Sequence, residues 1–123
     1  MTKRILIVDD SSYMRSLINE TLTGEGYNIV GMAVDGESAI DLALELKPDI
    51  ITLDQVLPDM TGMDILTAVK GAGLESLIIM VSAVGQQSTI KEAIDAGASD
   101  YIVKPFSKKE LLEAIHKMIA KNH

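Results

Sequence analysis

Five short apolar runs recur along the chain, each followed by a stretch whose apolar residues return every three or four positions. The first, Arg4 to Val8 (RILIV), is continuous rather than alternating, the pattern of a strand buried on both faces. In SSYMRSLINETL, the residues Met14, Leu17, Ile18 and Leu22 share one side of a helical repeat, with Ser11 or Ser12 as the cap and Gly24 as the stop. A second strand is expected over Asn28 to Val34. Asp35 can then cap GESAIDLALEL, whose inward stripe is read as Ile40, Ala43 and Leu44. DIITL runs into Asp54, and a loop to Gly62 precedes the helix MDILTAVK. LIIMV runs into Ser82, followed by a helix QSTIKEAIDA closed by Gly97. DYIV is the fifth strand. The last helix opens on Ser107 and Glu110, which match a capping box, and buries Leu111, Ile115, Met118 and Ile119. Strands that alternate with helices require right-handed crossovers, so the expected class is α/β with helices on both faces of a parallel sheet. No linker, repeat or low-complexity tract divides the chain, and one domain over residues 1–123 is expected.

Composition narrows the function classes. With 123 residues and 47% hydrophobic content there is enough for one core. A net charge of -7 repels nucleic acid, and the lysines form no basic run, so DNA binding is not expected. The absence of cysteine excludes disulfides and thiolate metal sites. The apolar run near the N-terminus is too short for a signal or a membrane-spanning segment, and a soluble, cytoplasmic protein without membrane insertion is the expectation.

In open parallel sheets, ligands bind beyond the carboxyl ends of the strands. Asp9 and Asp10 end the first strand, Asp54 the third, Ser82 the fourth and Lys104 the fifth, so all five face one rim. Taken singly, each has an ordinary explanation. The Asp9–Asp10 pair could cap a helix, Asp54 could be a turn residue, and Ser82 could satisfy its own backbone. Their convergence favours a site. Three carboxylates repel one another and suit a hard cation with oxygen ligands; no histidine is placed to favour zinc, and magnesium fits best. Magnesium welcomes phosphate oxygens, so phosphoryl transfer is the expected chemistry. Asp54, alone at the middle of the rim, is the candidate nucleophile, with Asp9 and Asp10 holding the metal and Ser82 and Lys104 meeting phosphoryl oxygens. His116 and His123 are assigned no role.

The motifs ILIVDDSSYMR, PDIITLDQVLPDMTG, IIMVSA and GASDYIVKPF resemble, in order and spacing over the whole chain, the receiver domains of two-component response regulators, and among them the small stand-alone chemotaxis (CheY) type. This resemblance implies a flavodoxin-like (βα)5 three-layer sandwich of strand order 2-1-3-4-5, an order for which these chemotaxis proteins are a standard example. It also implies that Asp54 is the phosphoacceptor, that Asp9, Asp10, Asp54 and the backbone carbonyl of Val56 bind Mg2+, and that Ser82 and Lys104 contact the phosphoryl group. Ser82 and Tyr101 would be the switch residues, and the Lys104–Pro105 bond is cis in many relatives. The implied partners are a sensor histidine kinase of the chemotaxis type as donor, an output protein such as the flagellar motor switch, and a phosphatase if one exists. The protein would be a monomer that catalyses only its own phosphorylation and dephosphorylation, although the face of the fourth and fifth helices pairs in some relatives. A stand-alone phosphorelay carrier, or a receiver that binds partners unphosphorylated, would look much the same.

Departures from the family are informative. Gln55 stands where an apolar residue is usual, and is expected to act at the mouth of the site or with a partner. Val56 and Val84 occupy positions whose side chains in relatives modulate attack by water; neither can orient a water, so slow spontaneous dephosphorylation is expected. Val56 also argues against an aspartyl-nucleophile phosphatase, which would need a carboxylate there. A flavodoxin-like electron carrier would need a phosphate-accepting loop where DDSSYMR is acidic.

Overall fold

The computed structural model describes residues 2–122. The chain folds in the order β1 (Arg4–Val8), α1 (Ser12–Gly24), β2 (Asn28–Ala33), α2 (Gly36–Leu46), β3 (Ile50–Asp54), α3 (Gly62–Gly71), β4 (Leu77–Ser82), α4 (Gln87–Asp95), β5 (Asp100–Val103) and α5 (Lys108–Lys121). All strand pairings are parallel, in the order β2-β1-β3-β4-β5. The fold is the flavodoxin-like α/β sandwich, with β3 at the centre of the sheet.

The continuous apolar runs are buried on both sides, as their composition dictates. One side of the sheet packs Leu6, Val8, Ile51, Leu53, Ile78 and Met80 against helices that contribute Ala39, Ala43, Leu66 and Ala93. The other packs Ile5, Ile7, Ile50, Ile79 and Val81 against Ile18, Leu22, Leu111, Ile115 and Met118. Alternate residues of one strand therefore feed two separate cores.

Four local expectations are corrected. Residue Val34 lies beyond β2 and is exposed. Leu44 is also exposed, because α2 turns Ala39 and Ala43 inward, with Ile40 and Leu42 partly buried beside them. Gly24 does not stop α1 with a left-handed turn; it is the last helical residue, and Gly26, at φ 95°, supplies the turn. Other punctuation falls where expected: Ser11 caps α1, Asp35 caps α2, Gly97 follows α4 at φ 116°, and Ser107 and Glu110 form a reciprocal capping box on α5. Ile119 is only partly buried, while Leu111, Ile115 and Met118 are fully enclosed.

Candidate functional site

Four strand ends build the site. Beyond β1, the Asp9 amide donates to the Ala33 carbonyl (3.1 Å), and the Arg15 guanidinium donates to the carbonyl of Asp9 (2.8 Å). These bonds hold the strand end, while the Asp9 carboxylate turns inward and is 1% exposed. It accepts the Ser11 amide at 2.9 Å, and Ser11 in turn accepts from the Met14 amide. Neither aspartate therefore caps α1; Ser11 does, leaving Asp10 exposed at the rim.

Asp54 ends the central strand and is 6% exposed. Carboxylate oxygens of Asp9, Asp10 and Asp54 lie within 4.8 Å of one another. The Lys104 ammonium reaches into this group, 3.2 Å from Asp54 Oδ1 and 3.3 Å from Asp9 Oδ2. Three carboxylates and one ammonium leave a local excess of two negative charges, and every carboxylate donor is a hard oxygen. That donor set fits a cation such as Mg2+ and does not fit one that prefers nitrogen or sulfur.

The electrostatics reflect this crowding. Burial pushes the Asp54 carboxyl above its ordinary range, Asp9 pushes the same way, and Lys104 with the Val56 amide offsets part of the rise. Burial works to lower the Lys104 ammonium, but Asp54 and Asp9 outweigh it and hold Lys104 above its usual value. The lysine stays charged, and the central carboxylate is the group whose charged form the site disfavours.

Ser82 ends β4 one residue beyond Val81, the partner of Asp54 across the sheet. Its Oγ accepts the Val84 amide at 3.0 Å, and the Val84 carbonyl accepts the Tyr101 hydroxyl at 2.6 Å. Residue Val84 thus joins the two expected switch residues through backbone bonds. Tyr101 is half-buried, its ring against the core and its hydroxyl tied down. The Lys104–Pro105 peptide is cis, and the Lys104 amide donates to the Ser82 carbonyl at 2.8 Å.

The loop after Asp54 folds back on itself. Gly62 donates to the Gln55 carbonyl, Leu57 donates to that of Met60, and Val56 bridges to Thr61. Val56 and Val84 expose their apolar side chains, at 70% and 42%. Gln55 is half-buried, and its side-chain oxygen has no hydrogen-bond partner among the described residues. The structure thus brings Asp9, Asp10, Asp54 and Lys104 together, with Ser82 on the neighbouring strand end and Tyr101 linked through Val84. His116 pairs instead with Glu25 at 3.4 Å, and His123 lies outside the described residues.

Sequence reasoning missed three contributors. Arg15 donates to a backbone carbonyl, which leaves no charge pattern to read. Thr61 and Asp64 form a capping box on α3, legible as T-x-x-D had aspartate been allowed the role of glutamate. Asp59 accepts two amides of α2, a contact spanning more than twenty residues that no local pattern encodes.

Comparison with known proteins agrees with this geometry. The family model described as the response regulator receiver domain matches residues 5–116. The chain is 43% identical over 118 residues to a chemotaxis protein CheY of Thermotoga maritima, covering 96% of this chain and 98% of the relative. It is 44% identical over 119 residues to a chemotaxis protein CheY of Bacillus subtilis, covering 97% and 99%. Among solved structures, the CheX-CheY-BeF3-Mg+2 complex from Borrelia burgdorferi superposes with a TM-score of 0.92 at 32% identity, covering 95% of this chain and 89% of that one.

Proposed function

The chain belongs to the response regulator receiver domain family, and from that premise we propose that it is the phosphoacceptor of a chemotaxis two-component system. The observation that carries the reading is the meeting of Asp9, Asp10 and Asp54 carboxylates around the Lys104 ammonium. A phosphohistidine of a sensor kinase is the donor. An Asp54 oxygen forms the new O–P bond as the N–P bond breaks, and the imidazole leaves with the electron pair. Magnesium, held by Asp9, Asp10, Asp54 and the Val56 carbonyl, would supply charge neutralisation at the phosphoryl oxygens. Lys104, already a charged donor 3.2 Å from Asp54, pairs with one phosphoryl oxygen, and the Ser82 hydroxyl donates to another.

The output step follows from the bonds at residue Val84. When Ser82 turns toward the phosphoryl group, it gives up the Val84 amide, and the carbonyl that holds the Tyr101 hydroxyl is freed to move with it. The face of α4, β5 and α5 is thereby remodelled for an output protein such as the flagellar motor switch. A phosphatase resets the switch, and the Borrelia relative, solved in complex with CheX, supports the engagement of a partner protein by a receiver of this kind. The working unit is one receiver domain over residues 1–123, acting as a cytoplasmic monomer.

Beryllofluoride with Mg2+, which stands in for a phosphoryl group on a carboxylate, tests the switch by amide NMR. Large shifts at Ser82 to Gly85 and at Tyr101, absent in Asp54→Asn, are expected. Shifts confined to the neighbours of Asp54 would refute the coupling.

A further inference from the structure

The loop of residues 55–61 has its base on the acceptor strand and its tip on a different helix. Leu57 to Met60 form the turn, closed by the Leu57 amide donating to the Met60 carbonyl at 3.2 Å. From that tip the Asp59 carboxylate reaches the N-terminus of α2, accepting the Gly36 amide at 2.7 Å and the Glu37 amide at 3.0 Å. A helix start leaves its first amides without intrahelical partners. In α2 they are accounted for by two sources: Asp59 takes Gly36 and Glu37, while the Asp35 side chain takes Ser38, after which the Ala39 amide makes the first intrahelical bond to the Asp35 carbonyl. The helix and the loop therefore share one cap. Contact is close: a Cβ on Gly36 would collide with the Met60 side chain, which would have to move to admit it. The opposite end of the loop is fixed by the Gly62 amide on the Gln55 carbonyl at 2.8 Å and by the Val56–Thr61 bridge.

We infer that Asp59 is a positioning residue: by fastening the loop tip to α2, it sets where the Val56 backbone carbonyl stands beside Asp54, and hence how well the site holds its divalent cation. The inference rests on the proposed magnesium site. Asp59 does not itself join the Asp9, Asp10 and Asp54 group. Its two charge-assisted bonds instead resist the loop motion that would carry the carbonyl away, the part that outer-shell partners play at metal centres.

Calorimetric Mg2+ titration of wild type, Asp59→Ala, Asp59→Asn and Asp35→Ala separates positioning from general stability. Asp35→Ala removes the helix's own side-chain cap but leaves the loop anchor, so it should unfold more easily in urea while binding Mg2+ like wild type. Asp59→Ala should weaken Mg2+ binding by about tenfold, with Asp59→Asn, whose amide oxygen can accept only one side of the clamp, in between. Equal Mg2+ affinity in Asp59→Ala and wild type would overturn the inference alone. So would an equal loss in Asp35→Ala, which would assign the effect to α2 as a whole. No Mg2+ binding by wild type would overturn the metal site itself and this inference with it.

Discussion

Gly62→Ala probes the packing that holds the acceptor strand in place. Gly62 opens α3 directly against the end of β3. A Cβ there would lie 2.6 Å from the Asp54 carbonyl oxygen, 2.9 Å from Met80 Cε and 3.0 Å from Gln55 Cα. The methionine methyl can move. The other two atoms are backbone atoms of the last residue of the central strand and of the residue after it, and ordinary contact begins at about 3.4 Å, so that backbone must retreat by roughly 0.4–0.8 Å. Overpacking of this kind costs about 1–3 kcal/mol, offset by about 0.5 kcal/mol from the lower chain entropy of alanine in the unfolded state. A net loss of about 1.5 kcal/mol, set against an unfolding entropy of about 2.1 cal/mol/K per residue, lowers the melting midpoint by about 6 °C. Because the displaced atoms adjoin Asp54, phosphorylation from a small-molecule donor should also slow, by about tenfold. Gly71→Ala is the matched control: nothing among the described residues lies within 4 Å of its Cβ position, and a gain of about 0.5 kcal/mol is expected from helix propensity. Thermal unfolding and urea titration of both variants read these changes. A Gly62→Ala protein as stable as Gly71→Ala would refute the reasoning.

Three further outcomes follow from the site. With its carboxyl held above the unfolded-state value, Asp54 favours folding at pH below the ordinary carboxylate range, and that contribution is lost as pH rises through its folded-state pKa. In EDTA, Asp54→Asn should therefore be more stable than wild type at neutral pH, with the advantage shrinking as the pH is lowered through the carboxylate range; a constant difference across a pH series of melting curves would contradict this. Tyr101→Phe removes the donor to the Val84 carbonyl and should cost about 0.5–1.5 kcal/mol in urea unfolding, with faster amide exchange in residues 83–86; unchanged exchange would mean the bond does not restrain the loop. Val56→Asn, which offers a carboxamide at an exposed position beside the acceptor, should shorten the lifetime of the phosphorylated form, measured by loss of the mass adduct, whereas a wild-type lifetime of seconds would remove the apolar explanation.

What the sequence reveals of the fold and the site depends on the range of the interaction. The strands were legible because Ile5 to Val8, Ile50 to Leu53 and Ile78 to Val81 must be buried on both faces, which only a covered parallel sheet permits. The rim was legible because crossover topology brings the ends of such strands to one edge whatever the helices do. The inward face of α2 was misjudged by one position: the small residues Ala39 and Ala43 let the helix approach the sheet, and that approach, more than the apolarity of Leu44, sets its rotation. Between Gly24 and Gly26, the choice of turn residue depends on where the chain must enter β2, which the pattern TGEG does not state. The grip of Asp59 on α2 was out of reach, since a turn aspartate after proline looks the same whether its carboxylate meets water or a distant helix.

The central claim is that Asp54 accepts a phosphoryl group in a site completed by a divalent cation. Intact-mass measurement after incubation with Mg2+ and a small-molecule phosphodonor, beside Asp54→Asn and an EDTA control, tests it most directly. One phosphoryl adduct that requires Mg2+ and is absent from Asp54→Asn is the predicted result. An adduct that persists in Asp54→Asn, or that forms equally well in EDTA, would contradict it.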